Sequence, residues 1–274
     1  MTRFTTSADG TGIAYSITGS GPALILVDGA MCHRMFGPST ELASVLDKNF
    51  TVHTYDRRGR GETGAGATPW SVEREIEDIA ALIGEAGGSA FVFGQSSGAV
   101  LALDAATKLP SITRLAVYEL PMVVDDTYTP RPADVVATMD GLIARGERSA
   151  AVTMFMRMVG VPGIGLAIMK LTPVWKKLKA VAHTLPWDLR ILGDDGRGEP
   201  LPADRWHLKV PTLVMNGGKS PEYLRNTMKN AAEVLGDVEH QELPGQTHML
   251  KSSAVAPVLV EFFSRAQRTA GPIA

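Results

Sequence analysis

Phe91-Val92-Phe93-Gly94-Gln95-Ser96-Ser97-Gly98-Ala99-Val100 passes from an apolar run, through Gly-x-Ser-x-Gly, into a run of small residues. The apolar part, from Ala90 to Phe93, reads as a buried strand. Residues 98–108 read as a small, apolar helix under a packed sheet. Between them the chain must turn sharply. Such a turn strains the backbone of its central residue and exposes the Ser96 hydroxyl, and bulky neighbours would clash there. The helix N-terminus also favours negative charge developing close by. In a chain with 28 glycines the bare pattern says little. The strand before it and the helix after it give it meaning.

Working outward, the same alternation recurs. Residues 3–8 and 12–18 flank Asp9-Gly10, which predicts a hairpin. Residues 23–27 are a continuous apolar run bounded by Gly-Pro and Asp-Gly, suited to a strand buried on both faces. Residues 50–55, 112–118, 210–215 and 238–243 read as further strands. A helix opens at Ser71, a plausible N-cap, with Ile76, Ile79 and Ile83 on one face. Residues 221–235 and 254–267 read as amphipathic helices. Strands alternating with helices predict an α/β fold with a mostly parallel, right-handed sheet. Residues 122–205 break the rhythm. They carry Met139, Met154, Met156, Met158 and Met169, with Trp175 and Trp187, and read as short helices without a strand. The expected organisation is a core of 1–121 and 206–274 with a helical lid of 122–205 over the strand C-termini. Most of the methionines are expected to pack inside that lid.

Composition narrows the function classes. Of the 274 residues, 45% are hydrophobic and 20% charged, which argues for a globular chain. The net charge of −2 and the lack of a basic run argue against a nucleic-acid partner. Cys32 is the one cysteine, so no disulfide forms within the chain. With no apolar leader and no run of membrane-spanning length, a cytoplasmic protein without membrane contact is expected. Oligomeric state is left open, a homo-oligomer included. Gly59-Arg60-Gly61-Glu62-Thr63-Gly64 matches a dinucleotide fingerprint, but its helix does not begin until Ser71, too late to meet a pyrophosphate. No phosphate loop and no zinc spacing occur, so neither cofactor nor metal is expected.

A neutral serine needs a base. Of the six histidines, His248 alone follows the last strand in a turn, Leu243-Pro244-Gly245-Gln246-Thr247, and precedes the last helix. His53 sits inside a strand and reads as structural. His33 lies in an early loop, where it could equally reach a ligand or serve only as a surface or loop residue. For the acid that orients the base, Glu119 ends the strand 112–118 and would point into the same crevice as Ser96. Asp125, Asp126 and Glu222 are weaker candidates.

These landmarks together resemble the α/β-hydrolase superfamily over nearly the whole chain. Val27-Asp28-Gly29-Ala30 resembles its oxyanion loop. Tyr55-Asp56-Arg57-Arg58-Gly59-Arg60-Gly61 resembles its Asp-x-Arg-Gly-x-Gly turn, and Gly94 to Gly98 its nucleophile elbow. Pro211 to Gly217 resembles its late strand, and Gly245-Gln246-Thr247-His248 its histidine loop. The resemblance implies an α/β-hydrolase fold, with Ser96 as nucleophile, His248 as base, and the Ala30 and Ser97 amides as oxyanion hole. Two positions depart from the pattern. No carboxylate stands in the three residues after Gly217, which are Gly218-Lys219-Ser220. Asp28 replaces the usual histidine and is expected to orient its loop by hydrogen bonds. Some members, including fungal-type zearalenone lactonases, carry a glutamate at the strand where Glu119 lies. The function implied is hydrolysis of an ester or lactone, and the Met-rich lid suggests an apolar, medium-sized substrate. Relatives of the same build also cleave carbon–carbon bonds, act as perhydrolases, or serve as slow or non-catalytic receptors.

Overall fold

The computed structural model describes residues 1–67 and 69–269. Eight strands form one sheet in the order β1-β2-β4-β3-β5-β6-β7-β8. They are β1 (Arg3–Thr6), β2 (Gly12–Thr18), β3 (Ala23–Val27), β4 (Thr51–Tyr55), β5 (Ala90–Gln95), β6 (Ile112–Tyr118), β7 (Thr212–Gly217) and β8 (Glu239–Leu243). The first hairpin is antiparallel, as is β2 with β4; every pairing from β3 to β8 is parallel.

The apolar strand runs are continuous because both faces are covered. Ile25 and Val27 of β3 face one core with α2 (Val72–Glu85), α3 (Ser97–Lys108) and α9 (Glu222–Leu235). Leu24 and Leu26 face the other, with α1 (Ser39–Leu46) and α10 (Ser252–Thr269). This period-two division is the pleat read directly from sequence. Ser71 caps α2 as expected, its Oγ accepting from the Arg74 N–H at 3.4 Å. The eight-residue α1 was not anticipated: its Pro38-Ser39-Thr40 start resembles a loop, and packing against β4 and α10 holds it. The β7 strand begins two residues later than read, because Pro211 cannot donate to the ladder. β5 instead runs on to Gln95, up to the turn itself.

Between β6 and β7 lie α4 (Val135–Ala144), α5 (Arg148–Met158), α6 (Gly163–Lys170), α7 (Pro173–Val181), a 3₁₀ turn (Ala182–Thr184) and α8 (Leu185–Leu192). They share a third apolar cluster built on Met139, Val152, Leu166, Trp175, Leu178 and Leu185. Met154, Met156 and Met169 pack against it, as the sequence suggested. Among the described residues no helix is long and apolar enough to cross a membrane.

Candidate active site

The sheet order sets β5 between β3 and β6, so three adjacent strands deliver their C-terminal ends to one crevice. Neighbouring strands lie about 4.8 Å apart. Just past those ends stand Gly29-Ala30, Ser96 and Glu119. The turn at Ser96 is as sharp as its glycines imply, with φ 56° and ψ −131°. A side chain at Gly94 would strike the Gly98 carbonyl and Ala102, and one at Gly29 would come within 2.9 Å of the Ser96 Cβ. The elbow therefore closes only with glycine at these places.

Glu119 is fully buried and also left-handed, at φ 48°. Its Oε1 accepts the Gly217 N–H at 2.7 Å, and its Oε2 lies 2.8 Å from Nδ1 of His248. A carboxylate at Nδ1 keeps the proton there and leaves Nε2 free to accept. The loop that carries His248 is tied down separately. The Tyr118 hydroxyl donates to the Thr247 carbonyl at 2.7 Å, and the Lys219 N–H donates to the Gln246 carbonyl at 2.8 Å. A Cβ at Gly217 would press on the Gln246 carbonyl and on the Tyr118 hydroxyl, 2.6 Å away. Gly217 and Tyr118 thus shape the site, though neither is marked by a motif of its own. Asn216, on the strand that commonly leads to the acid, is engaged elsewhere, with His240 at 2.8 Å and Glu242 at 3.1 Å.

Ala30, Ser96, Ser97 and His248 line one cavity of about 110 Å³. Tyr128, Phe155, Met158 and Leu189 close it from the 122–205 segment. Four of the five site residues named from sequence line this cavity, and Glu119 stands buried behind His248. Among the described residues, neither the Ala30 nor the Ser97 N–H donates to a protein acceptor. Two unspent donors, one of them at the N-terminus of α3 and the other in the loop after β3, can stabilise an anion. Asp125, Asp126 and Glu222 are not part of the lining. His33 also stands outside it, paired with Phe36 in a short bridge. His53 is buried in β4 beside Tyr15, as a structural residue would be. A larger, open hollow of about 550 Å³ among α4 to α6 contains none of the groups named for chemistry.

Asp188, which also lines the cavity, centres a charge network that sequence reading missed. Asp188 of α8 accepts from the Ser97 hydroxyl at 2.8 Å, from Arg57 at 3.0 Å and from Arg60 at 2.7 Å. Burial would raise its carboxyl, but the guanidiniums of Arg60 and Arg57 hold it below the usual range. Arg60 also donates to the Gly29 carbonyl at 2.7 Å. The glycine-rich stretch that mimics a dinucleotide fingerprint builds the turn presenting these arginines. Asp28 is not part of the cavity lining; it accepts from the Ser39 hydroxyl at 2.7 Å. Burial pushes its carboxyl up to about 6. Cys32 is an intermediate-exposure thiol that burial pushes up to about 12, the reverse of a nucleophile's shift.

The layered sheet, the strained turn at the end of β5 and the crevice beneath a helical segment define one class of protein. The model of the alpha/beta hydrolase family matches residues 20–258, and the chain belongs to that family. It is similar to an α/β hydrolase from Sphaerobacter thermophilus at 48% identity and TM-score 0.87, over 95% of this chain and 100% of that one. A hydrolase from Pseudomonas aeruginosa shares the fold at 20% identity and TM-score 0.71, over 96% and 98% of the two chains. The uncharacterized hydrolase YraK of Bacillus subtilis is 31% identical over 127 residues. That match spans 44% of this chain and 45% of YraK, so the chain matches less than half the length of that curated relative.

Proposed function

We propose that this hydrolase cleaves small esters or lactones through a Ser96–His248–Glu119 triad, in a cytoplasmic setting. Ser96 Oγ attacks the acyl carbon while Nε2 of His248 takes its proton. The Ala30 and Ser97 amides hold the oxyanion of the tetrahedral intermediate. Its collapse expels the alcohol, protonated by His248, and water releases the acyl group by the same steps in reverse roles. With a lactone, the alcohol stays tethered to the acyl chain. Glu119 fixes the tautomer of His248 and stabilises the imidazolium. Residues 122–205 act as the lid. The observation that carries this reading is the 2.8 Å contact between a fully buried carboxylate and the histidine that opens onto the Ser96 cavity.

The cavity narrows the size expected from sequence. At about 110 Å³ it lies below the roughly 300–1,000 Å³ of drug-sized sites, so a short acyl group fits better than a medium-sized one. The test is turnover of p-nitrophenyl butyrate and of a small lactone by the wild type and by Ser96→Ala. The expected loss in kcat is at least about 10³-fold. Equal turnover by the two proteins would exclude Ser96 as the nucleophile.

A further inference from the structure

Arg131 also lines the cavity of Ser96 and His248, and its side chain is buried, 7% exposed. The sequence gives it no motif. It lies between β6 and α4, where the chain enters the segment over the crevice. Its guanidinium donates only to backbone carbonyls: Pro121 at 3.3 Å, Gly193 at 3.5 Å and Asp195 at 2.9 Å. Among the described residues it makes no ion pair. The nearby carboxylates are engaged by other arginines. Asp194 pairs with Arg197 at 2.8 Å, and Asp195 with Arg205 at 2.7 Å. Carbonyl oxygens orient a guanidinium but do not neutralise it. A buried cation without an ion pair of its own is costly, and a strongly perturbed charged group in a cleft marks a candidate functional site. Burial, with Arg197 and Arg205 close by, pulls this guanidinium down to about 10, so it stays charged at neutral pH.

We propose that Arg131 binds a carboxylate on the substrate, so that the enzyme acts on short carboxylate-bearing esters or lactones. This deepens the reading of the site given above and rests on it for the word substrate; the anion site itself does not. The planar fork of arginine suits a carboxylate in two-point contact. The apolar lining, with Val123, Met158, Leu189 and Leu192, would hold the carbon chain between that charged end and the scissile carbonyl.

The test compares two probes of one shape, butyrate and butyramide, by calorimetric titration of the wild type, Arg131→Lys and Arg131→Gln, with thermal melts to check folding. The wild type is expected to favour butyrate on the order of tenfold or more, as one charge-assisted contact allows. Arg131→Gln is expected to bring that ratio near one, with Arg131→Lys between. Three results would overturn the proposal. The wild type binds both probes alike; or the preference survives in Arg131→Gln, placing the carboxylate on the Ala30 and Ser97 amides; or both affinities fall together, as for a merely structural residue. A wild type that binds both probes alike overturns the proposal even if a variant fails to fold, and Arg131→Lys gives a second variant should Arg131→Gln not fold. No turnover is read, so failure of the triad and failure of the anion site remain distinguishable.

Discussion

Three non-glycine residues among those described have left-handed backbone: Met31 at φ 60°, Ser96 at φ 56° and Glu119 at φ 48°. Ser96 and Glu119 end adjacent strands, and Met31 follows Ala30. Each such conformation costs on the order of 1 kcal/mol or more, and strain of this kind collects at functional sites. At Ser96 it was legible in advance, because Gly94 and Gly98 are the residues such a turn needs. At Glu119 and Met31 no glycine announces it. Glu119 was legible only as a carboxylate at a strand end, and its partner His248 lies 129 residues away. Glu119→Gln keeps the shape and can still accept from Gly217. Its amide would donate to Nδ1, however, moving the imidazole proton to Nε2, where it blocks proton transfer from Ser96. Turnover is expected to fall roughly 10³–10⁴-fold, as for a base held in the wrong tautomer. A loss under about tenfold, with the fold intact by circular dichroism, would place the acid elsewhere.

At the scale of elements, α8 is more than a cover. Asp188 joins it to the elbow through Ser97, and to the turn after β4 through Arg57 and Arg60. The network includes Glu75 of α2, 2.6 Å from Arg57, so two buried arginines face two buried acids. None of this was visible in the sequence. Arg57 and Asp188 are 131 positions apart, and a buried acid looks like a surface one until its partners are placed. Removing one member of a buried pair leaves charge uncompensated, which costs roughly 3–5 kcal/mol. Asp188→Asn is therefore expected to lose about that much stability in urea unfolding. A loss below about 1 kcal/mol would show that the network is not what fastens α8 to the core.

At the scale of the molecule, the architecture was legible because the inner parallel strands β3, β5, β6 and β7 are short, mostly apolar runs bounded by turn residues, and the helices between them carry a 3.6-residue period. The helical segment was legible by contrast, as a break in that rhythm. What escaped was cooperative: α1, held by packing, and the polar contacts that join distant stretches. One buried acid among them contributes to how stability responds to pH. Asp28 ionises near 3.8 when exposed but near 6 in the fold, because it is buried. The folded state thus keeps a proton that the unfolded chain has already released, so this group favours folding as pH falls from 6 towards 3.8. Above pH 6 the charged form costs on the order of 3 kcal/mol. Asp28→Asn keeps an acceptor for Ser39. It is expected to melt at higher temperature than the wild type at pH 8, with the gain vanishing near pH 4. A gain independent of pH would contradict that assignment.

The central claim is that Ser96 is a nucleophile activated by His248. Its most direct measurement is covalent: intact-protein and peptide mass spectrometry after brief exposure to a fluorophosphonate. One adduct per chain, on Ser96, absent from His248→Ala over the same interval, is the expected result. No adduct, an adduct on another residue, or equal labelling without His248 would contradict the account.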